Sequence, residues 1–200
     1  MRVILTALCL SFLFVNAQEG VQFGFKIGGG YKLNTHRNKA TTLRSADNGY
    51  GFTFGVPVKK WLDDYSSIDF GLEYEYTAFD QYAAGQLQSS RRIQAIGIPF
   101  MYSSNLFGDW YWQAGGGLNY HVLVQSWVLG FKTNDNALAK RIQPYVGLGA
   151  SYLMDRGDHL FEFGLQSRFF PIDLWKEETT FFQVATSKLL IFDFVLKFYL

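Results

Sequence analysis

The sequence KLLIFDFVLKFYL, residues 188–200, decides the fold. Large apolar side chains occur at every second position, and the positions between them include Asp193 and Lys197. A period of two is typical of a β-strand with one face in hydrocarbon and the other toward a mixed interior. A helix is the rival interpretation, because Asp193 and Lys197 also lie four residues apart. The phenylalanine and β-branched content favours the strand.

The length of residues 188–200 also favours a strand. A helix needs about 20 residues to cross a bilayer, whereas a tilted strand needs about 9 to 11. On a soluble protein, so apolar a chain end would promote aggregation. In a membrane barrel the same segment is expected to be the strand that closes the sheet.

Residues 1–17 have the features of a secretory signal peptide. Arg2 gives a positive start, an apolar run extends from Val3 to Val15, and Ala17 stands before a suitable cleavage point. A membrane-anchor helix is the alternative, but the run is short of the roughly 18 residues that a span needs. Cys9 is the only cysteine and lies within this run. We therefore expect a mature domain at 18–200 without thiol chemistry or disulfides.

The composition of the mature chain excludes some function classes. The 18 basic residues include Arg2, so 17 remain against 17 acidic residues, and no basic stripe indicates nucleic-acid binding. Aromatic residues make up 18% of the chain, as much as charged residues, which is unusual for a soluble domain. Because no later stretch is long enough for a membrane helix, a membrane protein with this sequence should be a β-barrel.

Eight stretches of alternating apolar and polar or small residues follow residue 20. Long polar connections, residues 34–48, 80–90, 126–141 and 171–187, alternate with three short turns. This asymmetry predicts an all-β fold, an eight-stranded antiparallel transmembrane up-and-down β-barrel with its long loops outside the cell. The alternation slips after Pro57, which cannot donate to a sheet, so we expect a bulge that returns Trp61 to the lipid side. Tyrosines and tryptophans near the strand ends predict interfacial girdles: Tyr50, Trp61, Tyr76, Tyr102, Trp110, Trp112, Tyr120 and Tyr152.

A soluble lipocalin-like barrel would show the same alternation with its two faces exchanged. Glycines decide between them, because twelve fall on the charged face, where they would leave room for long side chains in a narrow lumen. We expect this lumen to be filled by Lys26, Lys32, Lys59, Asp69, Glu73, Glu75, Glu162, Arg168, Asp193 and Lys197. Neighbouring strands should bring Asp193 to Lys26 or Lys32, Lys197 to Glu162, and Lys59 to Asp69.

Three segments carry a family resemblance: Ile96-Gly97-Ile98-Pro99-Phe100-Met101-Tyr102, the strand from Tyr111 to Tyr120, and Pro144-Tyr145-Val146-Gly147-Leu148-Gly149-Ala150. With the chain end, they resemble the small outer-membrane β-barrel domain common in Bacteroidota, which includes PorT-like proteins. The resemblance covers nearly the whole mature chain. It implies an outer-membrane location and a barrel rather than a particular activity.

Candidate chemical groups do not converge in the sequence. His36, His121 and His159 fall in a loop, on a strand and at a turn, so no metal site is expected. His121 with Ser126 could imitate a hydrolase pair, and Glu73 with Glu75 could act as paired carboxylates, but interior hydrogen bonds and ion pairs are the preferred account. We expect no catalytic, cofactor-binding or metal-binding residues and no cofactor.

The predicted function is therefore that of a non-enzymatic outer-membrane barrel with a structural or interaction role in its loops. A small-solute or ligand-binding barrel is the alternative, and a lipid-modifying enzyme the third. The expected partners are outer-membrane lipids and lipopolysaccharide, the barrel assembly machinery, and an envelope protein at the loops.

Overall fold

The computed structural model describes residues 20–38, 44–83, 86–128, 131–137, 139–157, 159–174 and 184–200. The expected signal peptide lies outside these ranges. The described residues form nine strands: β1 (Val21–Asn38), β2 (Arg44–Asp63), β3 (Ser66–Ala83), β4 (Gln86–Phe107), β5 (Trp110–Val128), β6 (Phe131–Asn134), β7 (Ile142–Asp155), β8 (Leu160–Phe170) and β9 (Val184–Tyr199).

Eight of these strands close into an antiparallel barrel. The hydrogen-bonded order is β4-β3-β2-β1-β9-β8-β7-β5, and β4 also pairs with β5. The closing strand β9 pairs with both β1 and β8, so that Asp193 stands opposite Gly30 and Lys197 opposite Glu162. The short strand β6 pairs with β5 outside the ring. The predicted fold class and the role of the last strand are confirmed.

The faces of the barrel are arranged as the alternation predicted. Phe25, Leu148 and Leu165 point outward and are 61%, 64% and 65% exposed. The ten charged residues that were predicted to fill the lumen point inward and are buried. A lipocalin-like arrangement would reverse these faces and is therefore excluded. Such an apolar outer wall is stable in lipid, where a closed barrel satisfies its own backbone hydrogen bonds.

Aromatic residues mark the two edges of the apolar wall. The outer girdle consists of Tyr31, Tyr50, Tyr76 and Tyr120, near the long connections. The inner girdle consists of Tyr102, Trp110, Trp112 and Tyr152, near the short turns. In the inner girdle the ring centres of Tyr102 and Trp112 are 5.6 Å apart, and those of Trp110 and Tyr152 are 5.4 Å apart. We call the two ends of the barrel the outer end and the inner end accordingly.

Among the described residues, no helix has the length and apolar character needed to cross a membrane.

The predicted position of Trp61 is wrong. Pairing of β2 with β3 runs without a break through Pro57, and the register shift comes later, between Trp61 and Asp63. Trp61 therefore keeps the inward orientation of Lys59, and its indole nitrogen donates to Gln22 Oε1 at 3.1 Å. Pro57 stands opposite Gly71 without disturbing the register. Lys60 therefore interrupts the apolar alternation because it is an exposed lysine at the inner edge of the apolar wall, and not because of a bulge at Pro57.

The predicted loop bounds are also wrong, because the strands extend past the outer girdle. The segment 34–48 contains the end of β1 and the start of β2, and the segment 80–90 contains the paired ends of β3 and β4. The segment 126–141 contains β6, and β9 begins inside the segment 171–187. Polar side chains suit strands that project into water, so these residues resembled loops in the sequence.

Glycines make room in the lumen, as predicted. A Cβ built on Gly51 would lie 2.7 Å from Lys32 Cε, and one built on Gly117 would lie 2.6 Å from the Tyr145 hydroxyl. At either position a Cβ would force the interior side chain to shift, and at Gly51 it would also clash with the Tyr76 carbonyl oxygen. Glycine at these positions therefore leaves the interior side chains their space.

Candidate functional site: the filled lumen and the outer end

Ten charged side chains form a layer across the middle of the lumen. Five are basic and five are acidic, and each is at most 6% exposed. The members are Lys26, Lys32, Lys59, Arg168, Lys197, Asp69, Glu73, Glu75, Glu162 and Asp193. The equal numbers give this charged layer no formal net charge, which is the condition under which buried charges are tolerated.

The outer half of the charged layer centres on Arg168. Its Nη1 atom lies 2.8 Å from Glu75 Oε2, and its Nη2 atom lies 2.7 Å from Asp193 Oδ2. Lys32 Nζ completes the group at 2.6 Å from Asp193 Oδ1 and 3.9 Å from Glu75 Oε1. Arg168 thus bridges two carboxylates that belong to different sides of the barrel.

The inner half of the charged layer is a four-membered ring. Lys197 Nζ lies 2.6 Å from Asp69 Oδ2 and 2.8 Å from Glu162 Oε1. Lys59 Nζ contacts the same two carboxylates at 2.8 and 3.1 Å. Gln113 adds a hydrogen bond from its amide nitrogen to Glu162 at 2.6 Å. Two cations and two anions therefore alternate around a closed set of contacts.

Lys26 and two glutamines join the outer and inner halves of the charged layer. Lys26 pairs with Glu73 and donates to Gln166 Oε1 at 3.3 Å, and Gln166 in turn donates to Gln113 at 2.9 Å. A cavity of about 20 Å³ between these groups has room for one water molecule. Among the described residues, interior side chains therefore fill the middle of the lumen around this small space.

The sequence predicted part of this layer. The expected pairs Asp193–Lys32, Lys197–Glu162 and Lys59–Asp69 are confirmed. Each joins residues on strands that are hydrogen-bonded neighbours. The pairs Lys26–Glu73, Arg168–Glu75 and Lys59–Glu162 were missed. These join strands that are not neighbours in the sheet, so no register argument could have found them.

An apolar layer seals the lumen at its outer end. Its members are Phe79, Ile93, Val124, Ala139, Tyr145, Phe170, Leu174, Leu189 and Ile191. Leu174 and Ala139 come from the connections that follow β8 and β6, and the backbone nitrogen of Lys140 donates to the Leu174 carbonyl at 2.8 Å. The connections therefore fold inward and close the mouth.

A smaller apolar layer closes the inner end. Tyr111, Leu153, Leu160 and Tyr199 pack together, with Trp61 against them. The ring centres of Trp61 and Tyr111 are 6.1 Å apart. Lys59 Nζ lies 5.5 Å from the Trp61 ring centre and 5.3 Å from the Tyr199 ring centre, which connects this layer to the charged one.

Among the described residues, His121 and His159 do not come together, and the His121–Ser126 pair that the sequence left as a lesser alternative does not form. His121 Nδ1 lies 2.9 Å from the Lys140 carbonyl, and Ser126 donates to Asp135. His121 and Ser126 lie five positions apart on β5, which is about 16 Å at roughly 3.3 Å per residue. The His159 ring lies against Phe198, and the side chain of His36 is outside what the structure describes. No group of three potential metal ligands occurs among the described residues.

Above the outer girdle, β3, β4, β5 and β6 form a projecting sheet where the sequence predicts loops. On it Trp127 lies between two cations, with Arg92 Cζ 5.9 Å and Lys132 Nζ 5.2 Å from its ring centre. Phe131, at the start of β6, is 78% exposed. A register shift opposite Gln94 and Ala95 leaves Val122 without a partner on β4. The three consecutive apolar residues Val122, Leu123 and Val124 therefore break the alternation at this bulge, and the continuing strand could not be seen in the sequence.

An ion pair braces the projecting sheet. Arg92 Nη1 lies 2.6 Å from Asp80 Oδ1, and the Ser90 hydroxyl donates to the same oxygen at 2.7 Å. Burial alone would raise the pKa of Asp80, but the hydrogen bonds from Arg92 and Ser90 and the charge of Arg92 outweigh it and lower that pKa. Asp80 lies four residues beyond Tyr76 of the outer girdle, so this pair stands in water rather than in lipid.

Solved structures of small outer-membrane barrels are similar to this chain. Neisserial surface protein A (NspA) aligns with a TM-score of 0.54 at 12% identity, over 91% of this chain and 99% of that one. Ail, the attachment invasion locus protein of Yersinia pestis, aligns with a TM-score of 0.40 at 11% identity, over 91% and 98%. OprG from Pseudomonas aeruginosa aligns with a TM-score of 0.36 at 12% identity, over 88% and 94%.

The likeness to NspA shows a shared fold, the eight-stranded outer-membrane β-barrel. No protein-family model matches the sequence, and no curated protein is significantly similar to it.

Proposed function

We propose that this protein is an integral outer-membrane β-barrel without enzymatic activity, and that its role is an interaction made by its outer end. The filled lumen carries this proposal. Charged and apolar layers occupy the bore from end to end, which supports a solid anchor rather than a pore. The projecting sheet is then the part of the molecule that is free to meet a partner.

The segment resemblances support a place among the small Bacteroidota barrels that include PorT-like proteins. On this proposal residues 1–17 direct export and are removed, the assembly machinery inserts residues 18–200, and lipids with lipopolysaccharide surround the apolar wall. The outer end faces the outside of the cell and offers an envelope or surface partner the residues around Trp127 and Phe131.

A photo-crosslinking experiment in living cells tests the role of the outer end. A benzophenone amino acid replaces Phe131, and in a matched control it replaces Leu118, which is 51% exposed on the lipid-facing wall. We expect a protein adduct of defined mass at position 131 and only lipid adducts at position 118. Identical adducts at both positions, or none at 131 under any growth condition, would contradict the proposal.

Protease treatment of intact cells tests the orientation separately. Segments 34–48 and 126–141 should be cut, and the turn at residues 155–158 should be spared. Cleavage of these segments only after the outer membrane is opened would reverse the assignment.

A further inference from the structure

A groove interrupts the apolar wall where β7, β8 and β9 lie side by side. Ser167 forms its floor, because Ser167 stands between Leu148 of β7 and Phe192 of β9 in the same row of the sheet. The groove measures about 590 Å³, and Leu165 and Phe194 extend it toward the inner end. The groove is open along its length rather than enclosed.

Ser167 creates the groove. The other outward positions of β8 carry Phe161, Phe163, Leu165 and Phe169. Only at 167 is the outward side chain small, so Leu148 and Phe192 face one another across an open space. A large side chain at 167 would fill it.

The depth of the groove in the membrane decides what can occupy it. On β7, Ile142 pairs with Tyr120 of the outer girdle, and Tyr152 pairs with Trp110 of the inner girdle. Leu148 lies between these two levels, six residues from Ile142 and four from Tyr152. The groove therefore opens into the hydrocarbon core, away from headgroups and water.

The lining of the groove offers nothing to a polar ligand. The Ser167 hydroxyl donates to the Leu148 carbonyl at 3.2 Å. Gln166 and Asp193, which border the groove through their backbone, direct their side chains into the lumen, where they contact Gln113 and Arg168. The remaining surface is that of leucine and phenylalanine side chains.

We propose that this groove binds an acyl chain of a membrane lipid near the middle of the bilayer. An acyl chain is the apolar species present at that depth, and it recovers the dispersion contacts that an unfilled groove would lose. The inference rests on the transmembrane fold and is independent of the partner proposed for the outer end.

Lipid photolabelling of the full chain in vesicles tests this site. The probe is phosphatidylethanolamine with a diazirine at the end of one acyl chain, and a second probe carries the diazirine near the chain carbonyl. We expect the chain-end probe to label Leu148, Leu165, Phe192 and Phe194 several-fold more than Leu72, an equally lipid-facing residue on the opposite wall. The carbonyl probe should label these positions weakly.

Substitutions of Ser167 separate the groove from general lipid exposure. Ser167→Phe fills the groove and should reduce its labelling to the level of Leu72, whereas Ser167→Ala keeps it open and should leave the labelling unchanged. Heat-modifiable gel migration shows that a variant has folded. If Ser167→Phe lacks it, Ser167→Leu is used in its place. Even labelling of both walls, or crosslinks from the groove to a second copy of the chain, would overturn the proposal.

Discussion

The middle and the outer end of the lumen are filled in two different ways. In the middle, Arg168, Lys197 and their partners form a charged layer whose main contacts join atoms of opposite sign. At the outer end, Phe170 and Tyr145 belong to a layer that is mainly apolar, with ring centres 5.3 Å apart. The two layers fill the same bore, but they should respond differently to substitution. A charged layer fails when one charge is left alone, whereas an apolar layer loses stability in proportion to the volume removed.

The largest effect is expected for Arg168→Met. This substitution leaves Glu75 and Asp193 with one fewer cation in a buried site, and breaking a buried pair costs roughly 3 to 5 kcal/mol. Urea unfolding in micelles, followed by tryptophan fluorescence, measures the loss. Arg156→Met, at an exposed turn near the inner end, is the control and should change the unfolding free energy little. Equal effects of the two substitutions would show that the ion pairs of the charged layer add nothing to stability.

A smaller loss is expected in the apolar layer for Leu174→Ala. Leu174 is 1% exposed, and its truncation should cost about 2 kcal/mol, the low end of the usual range, because the connection can settle into the space. Ile172→Ala, two residues away and 38% exposed, is the matched control. The same unfolding measurement compares them. If the Ile172 variant lost as much stability, Leu174 would not be part of a packed layer.

A third effect concerns the ion pair of the projecting sheet and depends on pH. Because the folded-state pKa of Asp80 is lowered, its contribution is present above the unfolded-state pKa and is lost as the pH falls through the folded-state value. Asp80→Asn should therefore cost at most about 1 kcal/mol at neutral pH, as is usual for partly exposed pairs. Stability measured against pH should show the variant and the unmodified protein converging in acid. A difference in stability between the two proteins that persists below the folded-state pKa of Asp80 would show that the Arg92–Asp80 pair is not its cause.

No change at all is expected in ion conduction. Because the two layers seal the bore independently, the unmodified protein, the Leu174→Ala variant and the double variant Glu73→Gln with Glu75→Gln should each lack steady conductance in a planar bilayer. The double variant should nevertheless unfold at a lower temperature, since Lys26 and Arg168 lose partners. Reproducible ion-selective channels from the unmodified protein would contradict the filled lumen and favour the alternative function, a small-solute pore.

The predictions from sequence succeeded for the side of the barrel on which a residue lies and for three ion pairs between neighbouring strands. The alternation placed Phe194 outside and Asp193 inside, and the pairing of neighbours gave Lys59 with Asp69. They failed where a bulge interrupts the alternation and where strands extend beyond the membrane, because no apolar face toward lipid is required there. The bulge at Val122 concealed the rest of β5, and the projecting strands resembled loops because polar residues occupy both of their faces.

The sequence by itself determined the number of barrel strands and the balance of charge in the lumen through the period of two in each stretch, and the face that meets lipid through the glycines that share the charged face. Only the tertiary structure decided that Arg168 reaches Glu75, that Trp61 packs inside, and that Leu174 closes the outer mouth. The first contact joins strands across the bore, the second follows from the register at the end of β2, and the third brings a connection back over the barrel. They depend on the width of the closed barrel and on side-chain reach, which no local pattern in the chain records.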